Sequence, residues 1–299
     1  MLSILITTFK EPETLKKSLD IIIKEISKAD EILIVGPDEE TEKIAKQYTK
    51  FYPQIRYLKD EGKGKAAALN LAFKKAKGDI LILTDGDVWP EKGFMKELLR
   101  PFKNSKIGIV TGRPISINPR DNMFGYWSHF LTEAANQRRL FLSKKNRFID
   151  CSGYLYAIRK TLIIDYQLPT IALAEDDLIS QMTWQRGYQI AYAPLAKVYV
   201  KYPDNFSDWI LQKRRSVGGY AQMLDTKKRK IKKEKMRNFL REAFYGFWLA
   251  LVLPKNFKEF YWTILLFGAR LYLWILIFLD HKIRRKRWKE GWERVESTK

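Results

Sequence analysis

Residues 78–87 read GDILILTDGD, a short aliphatic run closed by Asp85-Gly86-Asp87. A continuous apolar run of this length suits a central parallel strand covered on both faces. Residues 3–8 (SILITT) and 31–35 (EILIV) repeat the pattern. Helical spacing lies between them. Residues 13–27 place Leu15, Leu19, Ile22, Ile23 and Ile26 three or four apart after Pro12, and residues 65–76 follow a glycine-rich turn and are rich in Ala and Leu. Strand and helix in alternation predict an α/β domain with a mainly parallel sheet flanked by helices.

Ligands of such sheets bind beyond the carboxyl ends of the strands. Three segments fall there: residues 7–11 (TTFKE), 36–38 (GPD) and the Asp-Gly-Asp turn. With 16 Asp in the chain, an Asp-x-Asp arises by chance about once. Its position directly after a buried strand is what gives it meaning. Two carboxylates there offer hard oxygen ligands to a divalent cation, although Asp in a turn or helix cap explains them equally well in isolation. Upstream, residues 60–70 (DEGKGKAAALN) bring two glycines and two lysines to a helix start, either an ordinary loop or a cradle for phosphate.

Composition narrows the classes. The chain has 299 residues, 46% of them apolar and 14% aromatic, enough for a full core. Its one cysteine, Cys151, excludes an intrachain disulfide framework, and two histidines leave little for a histidine metal site. The net charge is +21, and residues 201–299 hold 24 Lys and Arg against 10 Asp and Glu. Basic runs at 227–237 (KKRKIKKEKMR) and 282–289 (KIRRKRWK) bracket two apolar stretches, a pattern of membrane flanks rather than nucleic-acid patches. No signal peptide is expected, because residues 3–8 are too short for one.

In order and spacing, several segments resemble the inverting family 2 glycosyltransferases of the GT-A fold, membrane-associated polysaccharide synthases included. They are residues 3–15 (SILITTFKEPETL), 61–70, 78–87, 149–160 (IDCSGYLYAIRK) and 174–192 (AEDDLISQMTWQRGYQIAY), with Gln212-Lys213-Arg214-Arg215 where synthases carry Gln-x-x-Arg-Trp. The chain departs from the pattern at Thr7, Lys10, Gly36-Pro37 and Ser216; the last removes an aromatic platform and points away from processive synthesis.

The resemblance implies a nucleotide-sugar donor, UDP-sugar before GDP-sugar, and a glycan or lipid-linked acceptor. It implies Mg²⁺ or Mn²⁺ held by Asp87 with Asp85. Donor contacts would come from Thr7, Phe9, Glu11, Asp38, Lys65, Asp85 and Arg215, and acceptor-side contacts from Ser152, Gly153, Glu175, Gln212 and Arg214. Asp176 would be the general base. Its acidic neighbours Glu175 and Asp177 would raise its pKa by repulsion, while an acidic first turn is also what a helix dipole favours. Cys151 reads as a small buried hydrophobe.

Three regions are expected: a catalytic domain over 1–205, an amphipathic interfacial segment over 206–237, and a membrane-associated helical pair over 238–299. Residues 243–254 are short for a span. Residues 260–279 have the length but carry Arg270 at the centre, a cost of about 2.5–3.5 kcal/mol. A crossing hairpin with the 255–259 loop outside is expected, with helices lying in the interface as the alternative; a pair packed on the soluble domain would leave many aromatics unburied unless the protein oligomerises. Phospholipid is an expected partner, nucleic acid is not, and the catalytic domain is expected on the cytoplasmic face. The competing class is a catalytically silent lipid-binding module on the same fold.

Overall fold

The computed structural model describes residues 1–169, 174–214, 239–279 and 295–298. Eight strands form one sheet in the order β3-β2-β1-β4-β7-β6-β8-β5. The first half is a parallel unit: β1 (Leu2–Thr7), β2 (Glu31–Gly36) and β4 (Ile80–Asp85) as expected, together with β3 (Ile55–Lys59), a fourth strand that the aliphatic runs did not predict. Beyond β4 the sheet becomes mixed. β7 (Leu155–Arg159) runs antiparallel to both β4 and β6 (Ile107–Ser116). β6 pairs in parallel with β8 (Gln189–Val200), and β5 (Val88–Pro90) closes the edge antiparallel to β8.

Strand alternation sorts the core into two layers. Ile4, Ile6, Ile32, Ile34 and Ile82 face α1 (Pro12–Ile22) and α4 (Phe94–Leu99), meeting Leu15, Leu19, Phe94 and Leu98. Leu5, Leu33, Leu81 and Leu83 face the other way, against Ala68, Leu69 and Ala72 of α3 (Lys65–Lys75). α2 (Glu39–Thr49) lies beside β3, while α5 (Met123–Lys144) and α6 (Glu175–Gln185) attend the mixed half.

The first helix is shorter than its periodicity predicts, ending at Ile22 rather than at residue 27. Ile23 and Ile26 still pack on the core. The Glu25 carboxylate instead accepts the backbone N–H groups of Gly93 and Met95 at the start of α4, and Asp30 accepts from Ser27 N at 3.0 Å and Ser27 Oγ at 2.8 Å. These contacts turn the chain into β2.

Two apolar helices follow, α7 (Phe239–Val252) and α8 (Phe257–Phe278). They pack on α5 through Tyr126, Trp127, Phe130, Leu249, Leu266 and Ala269. Arg120, just before α5, binds Glu259 at 2.8 Å through both Nε and Nη2, and its Nη2 also donates to Leu253 O at 2.8 Å. Trp127 Nε1 donates to Trp262 O at 2.7 Å. α8 is the one helix among the described residues long and apolar enough to cross a membrane, with mean hydropathy 1.7. The basic runs at 227–237 and 282–289 lie outside the described residues.

Candidate active site

β4 delivers Asp85 at the sheet's carboxyl edge, where the parallel register sets it beside Thr7 of β1. Thr7 Oγ1 donates to Asp85 Oδ1 at 3.1 Å. Gly86 then passes against Thr8 so closely that a methyl group on it would fall 2.2 Å from Thr8 Oγ1. Only glycine fits there. Asp87 follows, with Oδ1 buried and without a hydrogen-bond partner.

Lys65 opens α3 directly after Gly64, whose φ of +93° is a glycine conformation. Its ammonium group lies 2.7 Å from Asp85 Oδ1 and 2.7 Å from Glu175 Oε1. Burial alone would lower its pKa, but the Asp85 and Glu175 carboxylates outweigh it and hold Lys65 above the ordinary lysine value. The lysine thus joins the end of β4 to the start of α6, segments far apart in sequence.

Three carboxyls of the cluster, Asp85, Asp87 and Asp176, are pushed upward. Burial is the main cause at Asp85, opposed by Lys65. Burial, then repulsion from Asp85, lifts Asp87 to about 7. Burial, then repulsion from Glu175, lifts Asp176 to about 6.

Residues 151–153 form the facing wall. Cys151 N donates to Ser180 Oγ at 3.0 Å, Ser180 Oγ donates to Asp176 O at 2.7 Å, and Ser152 N donates to Thr111 Oγ1 at 2.9 Å. A methyl group on Gly153 would stand 3.1 Å from Asp176 Oδ2 and 3.6 Å from Lys65 Nζ. This close approach explains the small residue. It also places Asp176 Oδ2 and the lysine at one spot. Asp176 Oδ1 accepts from Asp177 N at 3.0 Å, so Oδ2 is the oxygen toward the wall. Cys151 is buried, with its thiol pKa raised by burial.

These contacts unite Thr7, Lys65, Asp85, Gly153, Glu175 and Asp176. Glu11, at the N-cap position of α1, is near enough for its charge to contribute to the rise at Asp87. Asp38 caps α2: Thr41 N donates to Oδ1 at 2.9 Å, and Thr41 Oγ1 and Lys10 N donate to Oδ2 at 2.9 and 3.0 Å. Phe9 is 41% exposed on the loop after β1. Gln212, buried, and Arg214 lie on helical residues 206–214, and Arg215 falls outside the described residues.

Sequence reasoning missed the Lys65–Glu175 link. It also missed the role of Asn70, whose amide accepts from Leu168 N at 2.9 Å and donates to Leu168 O at 2.8 Å, tying α3 to the segment before α6. A polar residue on the otherwise apolar face of α3 was the one available signal.

The donor set suits a divalent cation in part. Asp87 offers an unpartnered buried oxygen beside the Asp85 carboxylate, and hard oxygens are what Mg²⁺ or Mn²⁺ takes. Among the described residues, no group of three His, Cys, Asp or Glu converges to enclose an ion.

Sequence and fold both have known relatives. The model of the family described as "Glycosyl transferase family 2" matches residues 3–166. "Probable glycosyltransferase YdaM" of Bacillus subtilis (strain 168) is 25% identical over 263 residues, covering 82% of this chain and 61% of that protein. The poly-beta-1,6-N-acetyl-D-glucosamine synthase of Staphylococcus aureus (strain COL) is 25% identical over 234 residues, or 75% of this chain and 55% of the synthase. The chain thus spans little more than half the length of these curated relatives. Among solved structures, the mannosyltransferase PcManGT of Pyrobaculum calidifontis, in complex with GDP-Man and Mn²⁺, superposes with a TM-score of 0.62 at 18% identity, covering 96% of this chain and 81% of that one. Glucosyl-3-phosphoglycerate synthase of Mycobacterium tuberculosis, solved with Mn²⁺ and UDP, gives 0.54 at 17% identity, over 75% and 78% of the two chains. The fold is GT-A.

Proposed function

Since the chain belongs to glycosyl transferase family 2, we propose that it is a membrane-associated, metal-dependent inverting transferase. It moves a sugar from a nucleotide-diphosphate donor, UDP-sugar before GDP-sugar, to a hydroxyl of a glycan or lipid-linked acceptor. One observation carries the reading. Lys65 clamps Asp85, at the strand end where a diphosphate and its cation would bind, to Glu175, the neighbour of Asp176. Donor side and acceptor side are thus built as one unit.

In the reaction, the acceptor oxygen forms a bond to the anomeric carbon as the bond from that carbon to the diphosphate breaks. The electron pair leaves with the nucleoside diphosphate, and the configuration inverts. Asp176 Oδ2, next to Gly153, takes the hydroxyl proton. Its raised pKa makes it a stronger base than an ordinary carboxylate while leaving it ionised above pH 6. Asp87 with Asp85 would hold a Mg²⁺ or Mn²⁺ ion, which when bound would supply charge neutralisation at the departing diphosphate. Lys65 adds a fixed positive charge at the same place. The Cys151-Ser152-Gly153 wall, stitched to β6 and α6, limits the room beside the base. The exposed apolar faces of α7 and α8, with the basic sequence around them, support attachment to phospholipid on the cytoplasmic side.

Titration calorimetry of UDP, GDP and their sugars tests the donor half of the reading, with Mn²⁺ and with EDTA. Binding of one nucleotide class that needs the metal and is lost in Asp87→Ala is expected. Metal-independent binding, or none, overturns it and favours a silent lipid-binding module.

A further inference from the structure

The turn between α7 and α8 carries more information than the hydropathy of either helix. In a crossing hairpin this turn would lie on the far side of the bilayer, about 30 Å of hydrocarbon away from the catalytic domain. Instead the domain grips it. Arg120, on the loop between β6 and α5, makes its bidentate pair with Glu259 and reaches Leu253 O across the turn. Lys255 N donates to the same Glu259 carboxylate at 2.7 Å.

The first half of α8 then runs along α5, with Tyr126 Oη 2.5 Å from Thr263 Oγ1 and Phe130 against Phe267. That stretch of α5 is itself fastened to β6 and the loop after it: Ser128 Oγ lies 2.6 Å from Ser116 Oγ, and Glu133 pairs with Arg113 at 2.8 Å. A bilayer-spanning α8 would drag this charged helix and the end of β6 into hydrocarbon, where unsolvated polar groups are costly.

The outward side has the opposite character. Trp248 is 72% exposed, Leu251 60%, Tyr261 58%, Ile264 56% and Phe278 56%, and Phe257 at the turn 94%. On α8 these alternate at helical spacing with the buried stripe Glu259, Thr263, Leu266, Ala269, Leu273 and Ile277. One side of the helix is thus committed to the domain, the other to an apolar partner.

We propose that α7 and α8 lie flat in a single leaflet, their outward faces among the acyl chains, and do not cross the bilayer. This rests on the membrane-bound reading above and fixes its geometry. Charge selects lipid over a second copy of the chain. The excess of Lys and Arg over residues 201–299 would repel itself across a dimer interface but is attracted to anionic headgroups.

The test uses the full chain with an NBD fluorophore on Phe257→Cys, since Cys151 is buried. The protein is diluted out of detergent onto preformed vesicles of 30% phosphatidylglycerol in phosphatidylcholine. Emission is expected to rise severalfold on binding, and added dithionite, which stays outside, is expected to abolish it completely. A signal that survives dithionite until the vesicles are permeabilised means crossing and overturns the proposal. No rise on the vesicles overturns it too. Sedimentation of the unlabelled chain with cell membranes then separates the two failures. Co-sedimentation leaves membrane association standing without the flat geometry, whereas a soluble dimer removes both.

Discussion

Replacing Lys65 with methionine removes one charge and keeps most of the side-chain volume. The lysine sits 2.7 Å from both Asp85 and Glu175 and is only 13% exposed. Its loss leaves two carboxylates without their cation, beside Asp87 and Asp176, which are already lifted by burial. Removing one partner of a buried ion pair costs about 3–5 kcal/mol. A domain of this size shifts by about 2–4 °C per kcal/mol, so a fall in Tm of roughly 6–20 °C follows at pH 8.

The pH dependence has a definite sign. In the parent, Lys65 has a folded pKa above its unfolded value, so its contribution is complete below about pH 10 and is lost only above that. In Lys65→Met the Asp85 carboxyl, already raised by burial, loses the cation that opposes the rise, so the deficit is full at pH 8 and shrinks as the pH falls and it protonates. Mn²⁺ should restore part of the lost Tm at pH 8, since a cation again sits among the carboxylates. Thermal melts at pH 5, 6.5 and 8, with EDTA and with Mn²⁺, measure all of this. A variant melting within 2 °C of the parent at pH 8, or showing the same deficit at every pH, would refute the clamp.

Asp176→Asn should be more stable than the parent at pH 8, because a carboxylate raised to about 6 costs about 3 kcal/mol of folding stability when ionised; the gain should vanish near pH 4, read by the same melts. For a hydroxyl acceptor, the parent's kcat/KM should rise with pH through a pKa near 6, and that limb should be missing from whatever rate Asp176→Asn retains. Gly153→Ala puts a methyl 3.1 Å from Asp176 Oδ2; it should lower kcat at least tenfold with donor affinity unchanged, separable by titrating donor and acceptor in turn. Arg120→Met should release the α7–α8 turn, exposing the amides around 253–263 to faster hydrogen exchange while those of β1 and β4 keep their protection.

Three of the four strands in the parallel half were legible because each is a complete local signal, whereas β3, with Arg56 and Lys59 among its five residues, carries no such aliphatic run. Residues 31–35 and 80–84 are apolar on both faces, and their lengths fit strands and not helices. The Asp85 and Asp87 pair was legible through its place at a strand end. Other features depend on partners that no local window contains. Lys65 reads as a phosphate-loop lysine from its neighbours Gly62 and Gly64. Its carboxylate partners stand 20 and 110 positions away, and only the fold brings them together. The end of α1 at Ile22 is set by Glu25 reaching α4, a contact made 68 residues away at Gly93. The helical pair was the hardest to read. Hydropathy treats α8 as a candidate span, while Arg120 and Glu259, 139 residues apart, hold its start against the domain.

Nucleotide release during sugar transfer, measured with the parent, Asp87→Ala and Asp176→Asn beside metal-dependent donor binding, bears most directly on the division of labour in the site. The account predicts that Asp87→Ala loses both binding and turnover. It predicts that Asp176→Asn binds donor and metal like the parent but transfers at least a hundredfold more slowly. Turnover by Asp176→Asn at the parent rate, with its binding intact, would contradict the assignment of the base.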